Sequence, residues 1–211
     1  TAAATAASKT AGQPESVAIP SGGTKLEGMK ILKLGEVVEL PGSGLVVQVT
    51  NVRTSALDAD REWVLADVTI GNKGKEKEPI SSVISFDVVT SDWKWYGLDL
   101  VEAMTKITAD VSSGKEPGLF DADVEPGKAV KGTARIPVPK TAKGLALAFH
   151  SSKIIALPPD IEDPYVFVSL GIRGDWTGPN VPADAPEFKA GTVYKIGDAV
   201  KLPKAGLVIR V

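Results

Sequence analysis

The chain has 211 residues, of which 43% are hydrophobic and 24% charged, as in ordinary globular proteins. A net charge of -2 without a basic cluster argues against nucleic-acid binding, which needs several Lys or Arg residues on one face. No run approaches the roughly 18 apolar residues that cross a bilayer, so the sequence predicts no transmembrane segment. With no Cys and one His, it excludes thiol catalysis, disulfide bonds, Cys-based zinc sites and sites that need two histidines.

The first segment of the chain is rich in Ala, Thr, Ser, Gly and Pro. Residues 1–23 contain almost no large apolar side chains, so they cannot bury enough surface to order themselves. We therefore expect residues 1–30 to form a flexible tether that follows a removed signal sequence and holds the folded part away from a cell surface. The alternative is an end left by processing.

Residues 34–157 are organised as short segments rich in β-branched residues, separated by Gly, Pro, Asn, Asp and Lys. About eight strands at this spacing predict an antiparallel β-sandwich or barrel. In the segment 62–71, the apolar residues from Val64 to Ile70 alternate with a second set that starts at Trp63, and we expect the first set to face the core. Residues 101–113 fit either a short helix or a loop. The predicted strands are Glu36–Leu40, Leu45–Val52, Glu62–Gly71, Val83–Thr90, Lys94–Leu100, Ala129–Val138, Leu145–His150 and Lys153–Leu157.

Three of these segments carry a resemblance to a known family. They are an aromatic-led strand with an Asn-containing turn (63–74), a central hairpin (86–96) and a late strand pair with Pro-Gly before it and Val-Pro at its end (124–139). Over residues 34–157 the chain resembles the extracellular immunoglobulin-like domains of bacterial surface lipoproteins, which are related in fold to the mycobacterial immunoprotective secreted antigen. Trp93 stands where that family usually has Gly. The resemblance implies an immunoglobulin-like sandwich, an extracellular or cell-envelope location and no common enzymatic activity.

The two ends of the chain share a repeated segment. Residues 33–49 (KLGEVVELPGSGLVVQV) recur as residues 195–211 (KIGDAVKLPKAGLVIRV), at a constant offset of 195 minus 33, or 162. The repeat predicts that residues 193–211 are the first hairpin of a second copy, or a strand exchanged with another chain. An apolar strand with unpaired backbone groups seeks a partner sheet. The predicted partner-binding residues of this segment are Leu207, Val208, Ile209 and Val211.

No catalytic motif is present. His150 precedes Ser151 and Ser152, but no Gly-x-Ser-x-Gly elbow, phosphate-binding loop or dinucleotide fingerprint occurs. Catalysis by paired carboxylates leaves no signature that a sequence alone would reveal. The sequence therefore predicts a protein that is not an enzyme, with no catalytic residues.

Two acidic runs share an alternating spacing that projects carboxylates to one side of an extended segment. Calcium requires such oxygen ligands, but neither run has the glutamate that ends an EF-hand loop. Two interpretations remain open. The runs form a weak calcium site, or they are acidic surface loops whose charges keep them in contact with water. The predicted ligands are Asp58, Asp60, Glu62, Asp121, Asp123 and Glu125.

Aromatic residues concentrate around one predicted turn, and exposed aromatics near loop tips favour recognition. We expect Trp95 or Tyr96 to cap the core, which leaves Trp93 as the predicted partner-binding residue. Trp176, in the turn-rich segment 174–178, is a further exposed candidate.

The sequence thus predicts an exported, non-enzymatic structural or adhesive module of the cell envelope that binds protein, including copies of itself through its C-terminal strand. The alternative is a small-ligand or calcium-binding surface module, with Ca²⁺ as its only cofactor. We divide the chain into a tether (1–30), the sandwich (31–158), a Pro-rich connector with one apolar strand (159–192) and the repeated hairpin (193–211). The apolar run 165–172 is expected to add a strand to the sandwich or to line an interface.

Overall fold

A computed structural model describes residues 14–26, 31–99, 101, 121–151, 165–178, 186–189, 191–193, 199–202 and 207–210. The chain is an all-β protein, as the sequence predicts. None of the helical structure in these ranges is long and apolar enough to cross a membrane. In chain order the strands are β1 (Glu15–Val17), β2 (Thr24–Lys25), β3 (Ile31–Leu32), β4 (Val37–Glu39), β5 (Leu45–Ala56), β6 (Arg61–Asn72), β7 (Glu78–Ser81), β8 (Phe86–Thr90), β9 (Trp95–Gly97), β10 (Asp121–Val124), β11 (Ala129–Pro139), β12 (Leu145–Phe149), β13 (Val166–Ser169), β14 (Ala199–Leu202) and β15 (Leu207–Arg210).

The strands form two main sheets. The first has the order β1-β11-β6-β5-β4-β2 and the second has the order β3-β13-β12-β8-β9. All pairs are antiparallel except β2 with β4 and β3 with β13, which are parallel. Two further pairs, β10 with β7 and β14 with β15, form two-stranded sheets.

The two main sheets pack face to face around the core, which makes the fold a β-sandwich. The first sheet contributes Val64, Ala66, Val68 and Ile70 from β6, the set that alternation predicts to face inward. The second sheet contributes apolar side chains from β8, β12 and β13, including Phe86 and Phe149, whose ring centroids lie 5.3 Å apart. Full burial of such side chains stabilises a fold by roughly 1.5–3 kcal/mol each, so this layer is the main source of stability.

The opposite face of β6 is also buried at the end where the strand begins. Trp63 and Leu65 pack with Leu98, and the buried Arg135 guanidinium lies 4.3 Å from the centroid of the Trp63 ring. Alternation predicts the two faces of β6 correctly, but it does not predict that the second face is covered here.

The predicted strands agree with the structure to within a few residues. Seven of the eight overlap an observed strand, and Lys153–Leu157 lies outside the described residues. The predicted strand Val83–Thr90 starts only at Phe86, because the amides of Ile84 and Ser85 donate to the Ser81 carbonyl in a turn. The undecided stretch 101–113 lies outside the described residues apart from Val101.

The sandwich extends beyond residue 158. The apolar run 165–172 contains β13, which lies in the second sheet between β12 and β3. This confirms the expectation that the run adds a strand, and it places that strand within the sandwich rather than in a connector.

The prediction of a flexible tether over residues 1–30 is wrong for residues 14–26. Strand β1 pairs with β11, and β2 pairs with β4. The Leu26 amide donates to the Glu39 carbonyl, and the Leu26 side chain, 3% exposed, packs into the core. Low apolar content misleads here because backbone pairing to existing sheet edges and a few anchoring side chains order the segment. Residues 1–13 and 27–30 lie outside the described residues.

The repeated hairpin has the same register in both copies. In the first copy Val37 pairs with Gln48 and Val38 with Val47. In the second copy the pairs are Ala199 with Arg210 and Val200 with Ile209, which the offset of 162 makes equivalent. The sequence repeat is therefore also a structural repeat at the level of strand pairing.

Candidate functional site

The outer face of the second sheet carries the candidate site. Side chains of a strand alternate between the two faces, so residues paired across strands form rows. One outward row runs across all five strands from Gly97 on β9 to Ile31 on β3. Between them it contains Asp87, Ala148 and Phe167.

Phe167 is the centre of an aromatic layer on this face. It stacks on Trp176, with ring centroids 5.0 Å apart and an interplanar angle of 25°. The Trp176 indole N–H donates to the Thr90 carbonyl at 3.1 Å, and Trp93 meets both rings edge-on. Each of these three rings therefore packs against the other two.

Trp95 and Tyr165 form the accessible part of the layer. Trp95 is 39% exposed and Tyr165 is half-buried. Their ring centroids lie 5.5 Å apart at 69°, and the Trp95 ring also lies 6.0 Å from that of Phe167. The strands of Trp95 and Phe167 are separated by β8 and β12, so their backbones are about 14 Å apart. The indole therefore reaches across the sheet, where the small side chains of Ala146 and Ala148 leave room.

Asp87 places a carboxylate beside these rings. Its side chain is 27% exposed, and Nε2 of His150 lies 4.0 Å from Asp87 Oδ2. Burial raises the pKa of Asp87 to about 6, because water hydrates the ionised carboxylate poorly here. Burial of the phenol, together with the nearby Asp87 carboxylate, raises the pKa of Tyr165.

His150 at the end of β12 completes the floor of the site. Its ring meets Tyr165 edge-on at 4.9 Å, and its Nδ1 lies 3.2 Å from the Ser151 carbonyl oxygen. Burial lowers the pKa of His150, so its imidazole is neutral at pH 7. Within the part of the chain that the structure describes, no serine hydroxyl bonds to His150.

The predicted aromatic residues exchange roles in the structure. Trp93, predicted to be the exposed one, is half-buried under the layer in the left-handed region at φ 62°, and Trp176 is buried. Of Trp95 and Tyr96, one of which was expected to cap the core, Tyr96 packs against the core and Trp95 is the exposed ring. The difference arises because residues 91–94 form the turn, so the aromatic residue on the outer face belongs to the strand after it.

The predicted calcium ligands are not brought together. Asp58 accepts bonds from the Arg61 guanidinium, Glu62 pairs with Arg173, and Asp123 pairs with Lys77. The two acidic runs lie at opposite ends of β6, roughly 35 Å apart at 3.3 Å per residue. Among the described residues, no group of three or more His, Asp or Glu side chains is placed to hold a metal ion. The calcium prediction therefore has no ligand set in this part of the molecule. Asp60, Asp121 and Glu125 complete the two runs and are exposed.

The predicted partner-binding residues of the C-terminal strand lie in β15 or just after it. Leu207, Val208 and Ile209 pair with β14, and Val211 lies outside the described residues. Among the described residues, strands β14 and β15 pair only with each other and belong to neither main sheet, so these residues are not in the sheet that carries the aromatic layer.

Asp87 and Tyr165 are site residues that sequence reasoning missed. The signal was present in β8, where Phe86-Asp87-Val88 places a carboxylate between two core residues of one strand. Alternation alone puts Asp87 on the outer face, but which residues surround it depends on β9 and β13, whose pairing with β8 and β12 no local pattern specifies.

Comparison with models of protein families identifies a family for this chain. A family model described as "Domain of unknown function (DUF4352)" matches residues 32–156. Among curated proteins, none matches this chain. Whether the fold is related to that of the mycobacterial antigen stays a prediction.

Similar solved structures come from bacteria. The yjhA protein of Bacillus subtilis is 18% identical over 66% of this chain and 99% of its own, with a TM-score of 0.45. The Bacillus subtilis protein described as "a putative lipoprotein (ycdA)" is 16% identical, with a TM-score of 0.39, over 59% of this chain and 36% of its own. A β-sandwich protein of Clostridium difficile 630 is 13% identical over 70% of this chain and 99% of its own, with a TM-score of 0.38. At these values the likenesses carry no argument about function.

Proposed function

Because this chain belongs to the family of the domain of unknown function DUF4352, and this membership fixes no activity, we propose a function from the geometry of the site. The protein is a non-enzymatic binding module of the cell envelope that recognises its partner through the outer face of the second sheet. The observation that carries the proposal is the exposed Trp95 ring, set between the half-buried Trp93 and Tyr165. Exposed aromatic rings on a rigid support bury a large area at little entropic cost.

The chemistry of the face favours binding over catalysis. Within the described residues, Asp87 accepts no hydrogen bond, and His150 is oriented by a backbone carbonyl rather than by a carboxylate. A nucleophile with a bonded base and an orienting third group, the usual arrangement of covalent catalysis, has no counterpart here. The export of the protein rests on the resemblance to surface lipoprotein domains and is part of the proposal.

The test measures binding to bacterial cell-wall and membrane preparations by the whole chain, by Trp95→Ala and by Ile84→Ala. Ile84 is a matched control, because it is also 39% exposed but belongs to the turn after β7. We expect Trp95→Ala to lose most of the binding and Ile84→Ala to keep it. Equal binding by all three proteins would refute the proposed face, and absence of binding to every preparation would refute the envelope assignment.

Self-association is a second candidate function, favoured by the shared register of the two hairpins. In the first copy, β5 pairs with β6 as well as with β4, whereas the described β15 pairs with β14. Because β6 is already paired with β11 and β5, a hairpin of the same register would have to replace β4 and β5 in another copy, by strand exchange. Light scattering on the whole chain and on a chain that ends at Asp184 tests this. A higher mass for the whole chain alone supports self-association, and equal monomeric masses refute it.

A further inference from the structure

Asp87 determines which charge a ligand of Trp95 and Tyr165 can carry. Asp87 lies between β9 and β12 on the outer face, and neither Lys nor Arg bonds to it in the described part of the molecule. Its neighbours are the backbone of Gly97, Ala148 and the rings of His150 and Tyr165. Among the described residues, the carboxylate therefore has no countercharge, although it is partly removed from water.

A partly buried carboxylate of this kind favours a positive ligand. Desolvation makes an isolated charge costly, and an opposite charge recovers part of that cost. His150 does not supply the charge at pH 7, because burial keeps its imidazole neutral. An anionic ligand would add a like charge beside Asp87, and a neutral ligand would leave its charge uncompensated.

The rings specify what kind of cation fits. Trp95 and Tyr165 stand at 69° to one another and form a corner. Asp87 is close enough to Tyr165 to raise the pKa of its phenol, and it is paired with Gly97, two residues from Trp95 on the same strand. The negative face of an aromatic ring attracts a cation, most strongly a weakly hydrated one that sheds water easily. The chain already uses this interaction in its interior, where Arg135 lies over Trp63. A metal ion needs several oxygen ligands, and the described residues here offer one carboxylate.

We propose that the corner formed by Trp95, Tyr165 and Asp87 binds an alkylated ammonium group, such as a trimethylammonium ion. This inference rests on the proposed function and names the chemistry of the group that the binding face recognises. Asp87 supplies the countercharge, the two rings enclose the methyl groups, and Gly97 keeps the carboxylate accessible because it has no side chain.

The test titrates the whole chain with choline and tetramethylammonium, followed by calorimetry and tryptophan fluorescence. The matched neutral probe is 3,3-dimethylbutanol, which has the shape of choline without its charge. We expect saturable binding of both cations at about millimolar concentration, and affinity for the neutral probe at least about tenfold weaker. Equal affinity for the charged and neutral probes would overturn the proposal, as would the absence of saturable binding.

Variants assign the binding to the corner. We expect Asp87→Asn and Trp95→Ala each to weaken cation binding by roughly tenfold, Trp95→Phe to weaken it less, and Asp123→Asn to leave it unchanged. Asp123 is a control carboxylate, because it already pairs with Lys77. Near-ultraviolet circular dichroism confirms that each variant is folded. Unchanged binding in Asp87→Asn would overturn the proposal.

The two proposals fail separately. If the ammonium probes do not bind but Trp95→Ala still abolishes binding to envelope preparations, the binding face stands and only its ligand chemistry is wrong. If the probes bind but Trp95→Ala keeps its envelope binding, the corner is a cation site and the envelope partner uses another surface.

Discussion

Gly97 of β9 lies directly opposite Asp87 of β8, and a Cβ atom at residue 97 would lie 2.6 Å from Asp87 Oδ1. Real Cβ atoms essentially never approach another heavy atom so closely. The backbone of Gly97 is not in the left-handed region, so the space for the carboxylate, rather than its own conformation, requires glycine here.

The first prediction tests this contact. Gly97→Ala should push the carboxylate from its position and destabilise the protein by about 1 kcal/mol, as overpacking does. In an Asp87→Ala background the same change should cost much less, because the clashing atom is gone. Urea unfolding of the four proteins in this double-mutant cycle measures the coupling. Additive effects would mean that the two residues do not meet.

The second prediction concerns pH. Burial raises the pKa of Asp87 from 3.8 to about 6, so the folded state binds more protons than the unfolded state between these values. The stability that this group contributes is therefore complete below pH 3.8 and is lost as the pH rises through about 6. A pKa change of this size corresponds to roughly 3 kcal/mol.

Asp87→Asn removes this dependence, because the amide does not ionise. We expect the variant to match the natural protein at pH 4 and to exceed its free energy of unfolding by about 1–3 kcal/mol at pH 7. Urea unfolding from pH 4 to pH 7.5 measures the difference. Parallel stability curves for the two proteins would contradict the burial of this carboxylate.

The third prediction concerns the segment before β3. Leu26→Ala should destabilise the protein by about 2–3 kcal/mol, because Leu26 is buried in the core. The exposed neighbour Lys25 is the control, and Lys25→Ala should change stability by less than about 0.5 kcal/mol. Thermal unfolding compares them, and an unchanged Leu26→Ala variant would restore the flexible-tether interpretation of this segment.

The fourth prediction concerns Asp67 on the outer face of the first sheet. Partial burial alone would raise the pKa of this carboxyl, but bonds from Arg53, Asn51 and Thr133 hold it below its usual value. Its contribution to stability is therefore present above pH 3.8 and is lost as the pH falls through the lowered value.

Asp67→Ala should cost about 1–2 kcal/mol at pH 7, because three donors lose their acceptor. Asp123→Ala, which breaks one exposed ion pair with Lys77, should cost less than about 1 kcal/mol. Urea unfolding at pH 7 separates the two variants. Similar values for both would mean that the Asp67 network adds nothing beyond an ordinary surface pair.

The strands of the sandwich were predictable because their signals are local. The alternation from Trp63 to Ile70 and the turns around it identify β6 and its core face. The outer face proposed to bind a partner was less predictable, because alternation states which side a residue faces but not what covers that side. Trp93 and Trp95 are two residues apart, and their exposure depends on Phe167 and Trp176, which lie far along the chain. The order of the β1 segment likewise depends on long-range pairing with β11.

Strand β13 lies between β12 and β3 in the second sheet, so the sandwich includes residues beyond the segment that the family model matches. The family match ends at residue 156, whereas β13 spans Val166–Ser169. If residues 32–156 were transferred to another protein, the edge of β12 that pairs with β13 would be unpaired, and core side chains beside it would be exposed. Residues 165–178 would have to be included in the transferred segment to pair with that edge. They also contain Phe167 and Trp176, the stacked rings of the aromatic layer.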